Sequence, residues 1–124
     1  MNILDDSDFK TISGTLSVIQ SLEVRHQVNY EGVHEQDLIT QDLLHKLELE
    51  PLNAAQMVQL AKQLKDVRQT RRLMKDEIEV MQPLMDFMQD ANNKKAMQEL
   101  AQTLGKMRNV TKIQASRQYY PRVL

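Results

Sequence analysis

Two short motifs set a carboxylate and an imidazole one helical turn apart: Glu23-x-x-His26 and Asp42-x-x-His45. Helical bundles hold a di-metal centre with a Glu-x-x-His on each of two helices and a further Glu from each of two others. Here one carboxylate is the shorter Asp, and the strongest apolar row of the chain contains no Glu. The motifs are therefore read as polar boundary residues, and neither a metal nor another cofactor is expected. His34 completes no Ser, His and Asp spacing suited to nucleophilic catalysis. With no Cys there is also no thiolate ligand, cysteine nucleophile or disulfide. A non-enzymatic protein is expected.

Cations offer a different chemistry. Lys62, Lys65, Arg68, Arg72 and Lys75 step by three or four residues and form a basic stripe along a helix. Such a stripe can follow a phosphate backbone or an acidic patch on a protein. The plainer alternative is a solvated flank, paired with Glu77, Glu79 and the acids of the preceding helix. A second basic set, Lys106, Arg108, Lys112, Arg117 and Arg122, lies around Tyr119 and Tyr120. Cations mixed with stacking rings suit single-stranded nucleic acid. The two rings are adjacent rather than interleaved, so a terminal tail or a short docking peptide fits equally well.

The elements that would position these residues are helical. The chain has 124 residues, 3 Gly, 3 Pro and 4% aromatics, too few turn formers for an all-β fold and too few rings for an aromatic binding platform. No apolar run is long enough to span a membrane. Met1–Asp6 is acidic where a signal peptide would be basic, so an intracellular location is expected.

The strongest signal is the row Met57, Leu60, Leu64, Val67, Arg71, Met74, Ile78, Met81, Met85 and Met88. Its unbroken 3-4 steps make a heptad seam, the pattern of supercoiled helices. Arg71, its one polar member, either fixes register or reaches out to solvent. Met74, Met81, Met85 and Met88 read as core filling, with a repackable binding surface as the alternative. Asn53 and Gln56 form a capping arrangement at the start of this helix. From Asn53 to Gln82 it would run about 45 Å at its standard rise. A compact globule of this size is only roughly 35 Å across. The molecule is then elongated, or the helix bends at Pro83.

Three further helices are expected. The first lies within Asp8–Asn29 on the row Phe9, Ile12, Leu16, Ile19 and Leu22, starting either before Gly14 or just after it. Asn29-Tyr30-Glu31-Gly32 reads as a turn, with Gly32 available for a positive φ. The second spans Glu35–Leu49 and ends before Pro51. After the long helix, Asp90–Asn93 reads as a polar turn. The fourth helix, Lys94–Arg108, carries Met97, Leu100, Leu104 and Met107. The spacing thus predicts an all-α, small elongated bundle in which a long heptad-patterned helix, about 53–89, folds against shorter helices. Residues 1–110 form a single domain and 111–124 a basic C-terminal tail. The fourth helix is too short to cover the whole seam, which leaves the remainder to the first helix or to a second chain in a homodimer.

Near-neutral charge conceals blocks. Residues 1–50 hold ten acids and three bases; residues 51–76 hold six bases and two acids. Residues 77–90 carry four acids and no base, and residues 91–124 seven bases and one acid. A chain so polarised folds acid against base or offers a basic face to a partner.

The run Gln41-Asp42-Leu43-Leu44-His45-Lys46-Leu47-Glu48-Leu49, followed by Leu52-Asn53-Ala54-Ala55 and then Arg68-x-x-Arg71-Arg72-x-x-Lys75-Asp76-Glu77, resembles small helical proteins encoded by phages and prophages of Gram-positive bacteria, a largely uncharacterised family. The likeness covers roughly residues 35–84. It implies a phage-borne accessory protein in the host cytoplasm; it implies no catalytic activity and assigns no functional residues. The expected function is to bind and inhibit or redirect a host or phage protein, for example as an anti-defence protein such as a CRISPR nuclease inhibitor. The alternatives are a nucleic-acid-binding accessory protein and, more remotely, a virion or assembly component.

Overall fold

A computed structural model describes residues 4–117. The protein is all-α: α1 is Asp6–Leu49, α2 is Ala54–Gln89 and α3 is Ala91–Ala115, with no strand among the described residues. Most of the helix ends follow from local chemistry. Asp5 opens α1, its Oδ1 accepting the Ser7 and Asp8 amides at 2.9 and 3.1 Å, while Asp8 Oδ2 accepts the Asp5 amide at 3.0 Å. α1 therefore begins well before Gly14. It stops at Leu49, ahead of Pro51. Asn53 and Gln56 cap α2 as the sequence predicts, each side-chain oxygen accepting the other residue's amide, at 2.8 and 3.0 Å. Pro83 lies inside α2 without ending it.

Three expectations about the elements need correction. The turn expected at Asn29–Gly32 does not exist: α1 runs through it, and no residue there has a positive φ. Gly32 is instead a point of close approach between helices, described below. The polar turn at Asp90–Asn93 shrinks to Asp90 alone. Its carboxylate accepts the Asn92 amide at 2.8 Å and starts α3 at once, and Asn93 Nδ2 donates to the Phe87 carbonyl at 3.0 Å. Finally, α3 continues to Ala115, past the point where a tail was expected, and ends where the Ser116 amide turns back to the Lys112 and Ile113 carbonyls.

The chain divides into two compact units. One takes the described residues up to Gln20 together with those from Phe87 onward. Its core is Phe9 and Leu16 of α1 with Leu104 of α3, and Met97 and Ala101 pack against them. Arg108 adds a bond from its guanidinium to the Phe9 carbonyl at 3.4 Å.

The other unit, Ser21–Asp86, is a hairpin of α1 and α2. Arg25 meets Glu77, Gly32 meets Met74 and Asp37 meets Arg71, so the numbering rises on one helix as it falls on the other. The two are antiparallel. Within this unit the seam of α2 faces inward: Leu60, Met81 and Met85 are buried, and Leu64, Val67, Arg71, Met74 and Ile78 half-buried, while Met57 at the end is exposed. The chain's own α1 lies on that row. It answers with Leu22, Asn29, Gln36 and Leu43, seven residues apart and all half-buried.

Candidate functional site

The basic stripe runs along one flank of the hairpin. Lys62, Lys65, Arg68, Arg72 and Lys75 are all exposed. Among the described residues, Lys62, Lys65, Arg72 and Lys75 form no ion pair, and Arg68 only approaches Asp37 at 3.9 Å. The plainer expectation, a solvated flank paired with Glu77, Glu79 and the acids of the preceding helix, holds in part: the five cations are exposed and Arg68 pairs with Asp37, but Glu77 and Glu79 pair with none of them among the described residues. Glu77 is engaged by Arg25 across the other side of the hairpin, and Glu79 pairs with none of the stripe's bases.

Arg71 behaves differently from its neighbours on the stripe. It occupies a seam position, its side chain is only 19% exposed, and its Nε donates to Asp37 Oδ1 at 2.6 Å. The stem fills the seam while the guanidinium reaches the flank. Asp37 thus meets two arginines, Arg71 closely and Arg68 at 3.9 Å.

Beside Arg71 the two helices part into an open groove of about 530 Å³. Val33 and Ile78 supply apolar floor, Tyr30 a ring, and His34, Lys75 and Glu79 the polar rim. Lys75 thus belongs to both the stripe and the groove. This arrangement has cations free to meet an anionic surface and an adjoining apolar recess that can take a side chain. It has no nucleophile held by a base.

The Glu23 and Asp42 motifs are not brought together. His26 Nε2 lies 3.2 Å from Gln82 Oε1, a bond across the hairpin, and His45 is exposed near the other end of it. No three His, Asp or Glu side chains gather as metal ligands among the described residues.

Of the second basic set, Lys112 lies in the last turn of α3 and Arg117 just beyond its end, both exposed. Tyr119, Tyr120 and Arg122 lie outside the described residues. Lys112 and Arg108 instead line a second recess, of about 480 Å³, with Phe9, Lys10 and Asp6.

Sequence reasoning missed Asp37, Tyr30 and Val33 as neighbours of the stripe. The signal was present but easily overlooked: Tyr30 and Asp37 are seven residues apart, and so are His26 and Val33. A heptad continued through Gly32 would have placed them on one side of a single helix.

No helix is long and apolar enough to cross a membrane among the described residues. No protein-family model matches the chain, and comparison with curated proteins and with solved structures returns no match.

Proposed function

We propose that the protein is a non-enzymatic binding module whose basic flank docks on an acidic surface of a protein. The observation that carries this reading is that Lys62, Lys65, Arg72 and Lys75 form no ion pair among the described residues, next to a groove with an apolar floor. A protein surface supplies both carboxylates and apolar side chains, which suits that combination. A nucleic acid backbone uses the cations but not Val33 and Ile78. The resemblance to phage and prophage proteins frames the proposed setting: a phage-borne product in a host cell that blocks or redirects a host or phage protein, anti-defence activity included.

The test is capture from a Gram-positive host lysate, with and without nuclease, by the wild type and by R68E/R72E/K75E. The triple variant should lose the captured protein while its circular dichroism stays helical. Binding of the isolated protein to DNA or RNA would overturn the reading if its affinity fell with a log–log salt slope near −4.5, about that of five phosphate contacts on a duplex.

A further inference from the structure

The hairpin has a second flank, and its character is opposite to the first. It is marked by the Arg25–Glu77 ion pair. On α2, Leu73, Glu77 and Val80 step by four and three, so they share that side; on α1, Val28 lies three residues from Arg25 and four from Val24, which places it between them. Four apolar residues within a turn of that ion pair are strongly exposed: Val80 80%, Leu73 70%, Val24 65% and Val28 60%. Scattered single apolar residues need no explanation, but a contiguous group marks an interaction surface.

Heptad steps extend this flank along the hairpin. From Val24 the next position is Glu31; from Val28 come Glu35 and then Asp42; from Leu73, moving back, comes Asp66. All four carboxylates are exposed, and none forms an ion pair among the described residues. One flank thus carries unpaired cations beside an apolar groove, and the other carries unpaired carboxylates beside an apolar ridge. The charges also share a repeat. Lys65 and Arg72, Arg68 and Lys75, and Glu35 and Asp42 are each seven residues apart, about 10.5 Å along a helix.

We infer that the basic flank of one copy of this chain docks on the acidic, apolar flank of a second copy, in a head-to-tail contact. The inference rests on the reading above, that the basic flank is a protein-docking face, and names its partner. A two-fold contact through either flank would set like charges against each other, which disfavours association. Only the unlike pairing matches charge to charge. It also brings the ridge of Leu73 and Val80 to the groove floored by Val33 and Ile78. A contact between two different surfaces leaves one of each free at the ends, so it propagates into a ring or an open filament.

Sedimentation velocity of the full chain over a range of concentrations, in low and in high salt, tests this. The wild type should exceed the 14.4 kDa of one chain as concentration rises and return to it in high salt. K65E/R72E/K75E should remain a monomer, and so should E35K/D42K. Mixed together, the two variants should associate again, since the acidic flank of the first meets the basic flank of the second. Val80→Ser should weaken the wild-type assembly without changing charge.

A mixture that stays monomeric overturns the inference, as does an assembly that E35K/D42K leaves unchanged. A wild type that stays monomeric, but still captures a lysate protein in a way R68E/R72E/K75E abolishes, overturns the head-to-tail contact and leaves the docking reading standing. An assembly that survives reversal of the basic flank overturns the head-to-tail contact, and a capture that R68E/R72E/K75E leaves unchanged overturns the docking reading as well.

Discussion

Gly32 of α1 sits against Met74 of α2: a Cβ built on Gly32 would lie 2.8 Å from the Met74 sulfur and 3.0 Å from its methyl carbon. The missing side chain lets a seam methionine reach the backbone of the facing helix. A residue type that ordinarily marks a turn is used here, mid-helix, for close packing. Gly14, by contrast, has nothing within 4 Å of that position.

The two glycines should respond differently to alanine. G14A should stabilise the protein by about 0.5–1 kcal/mol, the usual helix-interior gain. G32A should fall clearly short of that, because Met74 must first move aside; the larger Gly32→Leu should destabilise. Urea midpoints of the three variants check this, and equal gains from G14A and G32A would show that Met74 does not pack on Gly32.

Asn29 occupies an inward row of α1, and its Nδ2 is buried without a hydrogen-bond partner. Leaving a buried amide unsatisfied costs about 1–3 kcal/mol. Asn29→Leu should therefore raise stability by about 1–2 kcal/mol, measured by chemical denaturation. A loss of stability instead would mean that the amide is bonded in solution.

Two of the ion pairs across the hairpin should differ in strength. Arg71 is 19% exposed and donates directly to Asp37, itself 40% exposed, so the pair is worth about 1–1.5 kcal/mol, the low end for a charged hydrogen bond once solvent screens one partner. Arg25 and Glu77 are 59% and 38% exposed, where solvent limits a pair to about 0.2–1 kcal/mol. Double-mutant cycles should rank the first coupling above the second. Arg71→Met should cost less than Arg71→Ala, since an apolar side chain at a seam position replaces the packing that alanine removes.

Asp5 should titrate below the ordinary carboxylate value of 3.8, first because the Ser7 hydroxyl donates to it at 2.7 Å and next because the Asp8 amide does. A depressed folded value stabilises the helix start above the ordinary value and loses that contribution as pH falls through the depressed one. The first turn of α1 should therefore keep its amide protection down to about pH 4 and lose it at lower pH. Ser7→Ala should move the Asp5 midpoint back up. Carboxyl NMR titration reads both, and a wild-type midpoint at or above 3.8 would show that the hydroxyl does not bond Asp5.

Local and periodic features were legible in the sequence. The helical class, the seam of α2, the Asn53–Gln56 cap, the stop before Pro51 and the basic stripe each depend on residues within a turn or two of one another. α1 was not legible as one helix. Its inward face holds His26, Asn29, Gln36 and Thr40, so it lacks a continuous apolar row, and Gly32 imitates a turn. Only the tertiary structure explains why such a face is tolerated: the apolar seam of α2 lies against it, and Met74 needs the space at Gly32. The same holds for charge. The sequence determined which blocks are acidic and which basic, but the pairing of Arg71 with Asp37 and of Arg25 with Glu77, which leaves Lys65, Arg72 and Lys75 without an ion pair among the described residues, depends on the register of two antiparallel helices. That register is fixed by contacts between residues tens of positions apart, and helical periodicity carries no information about it.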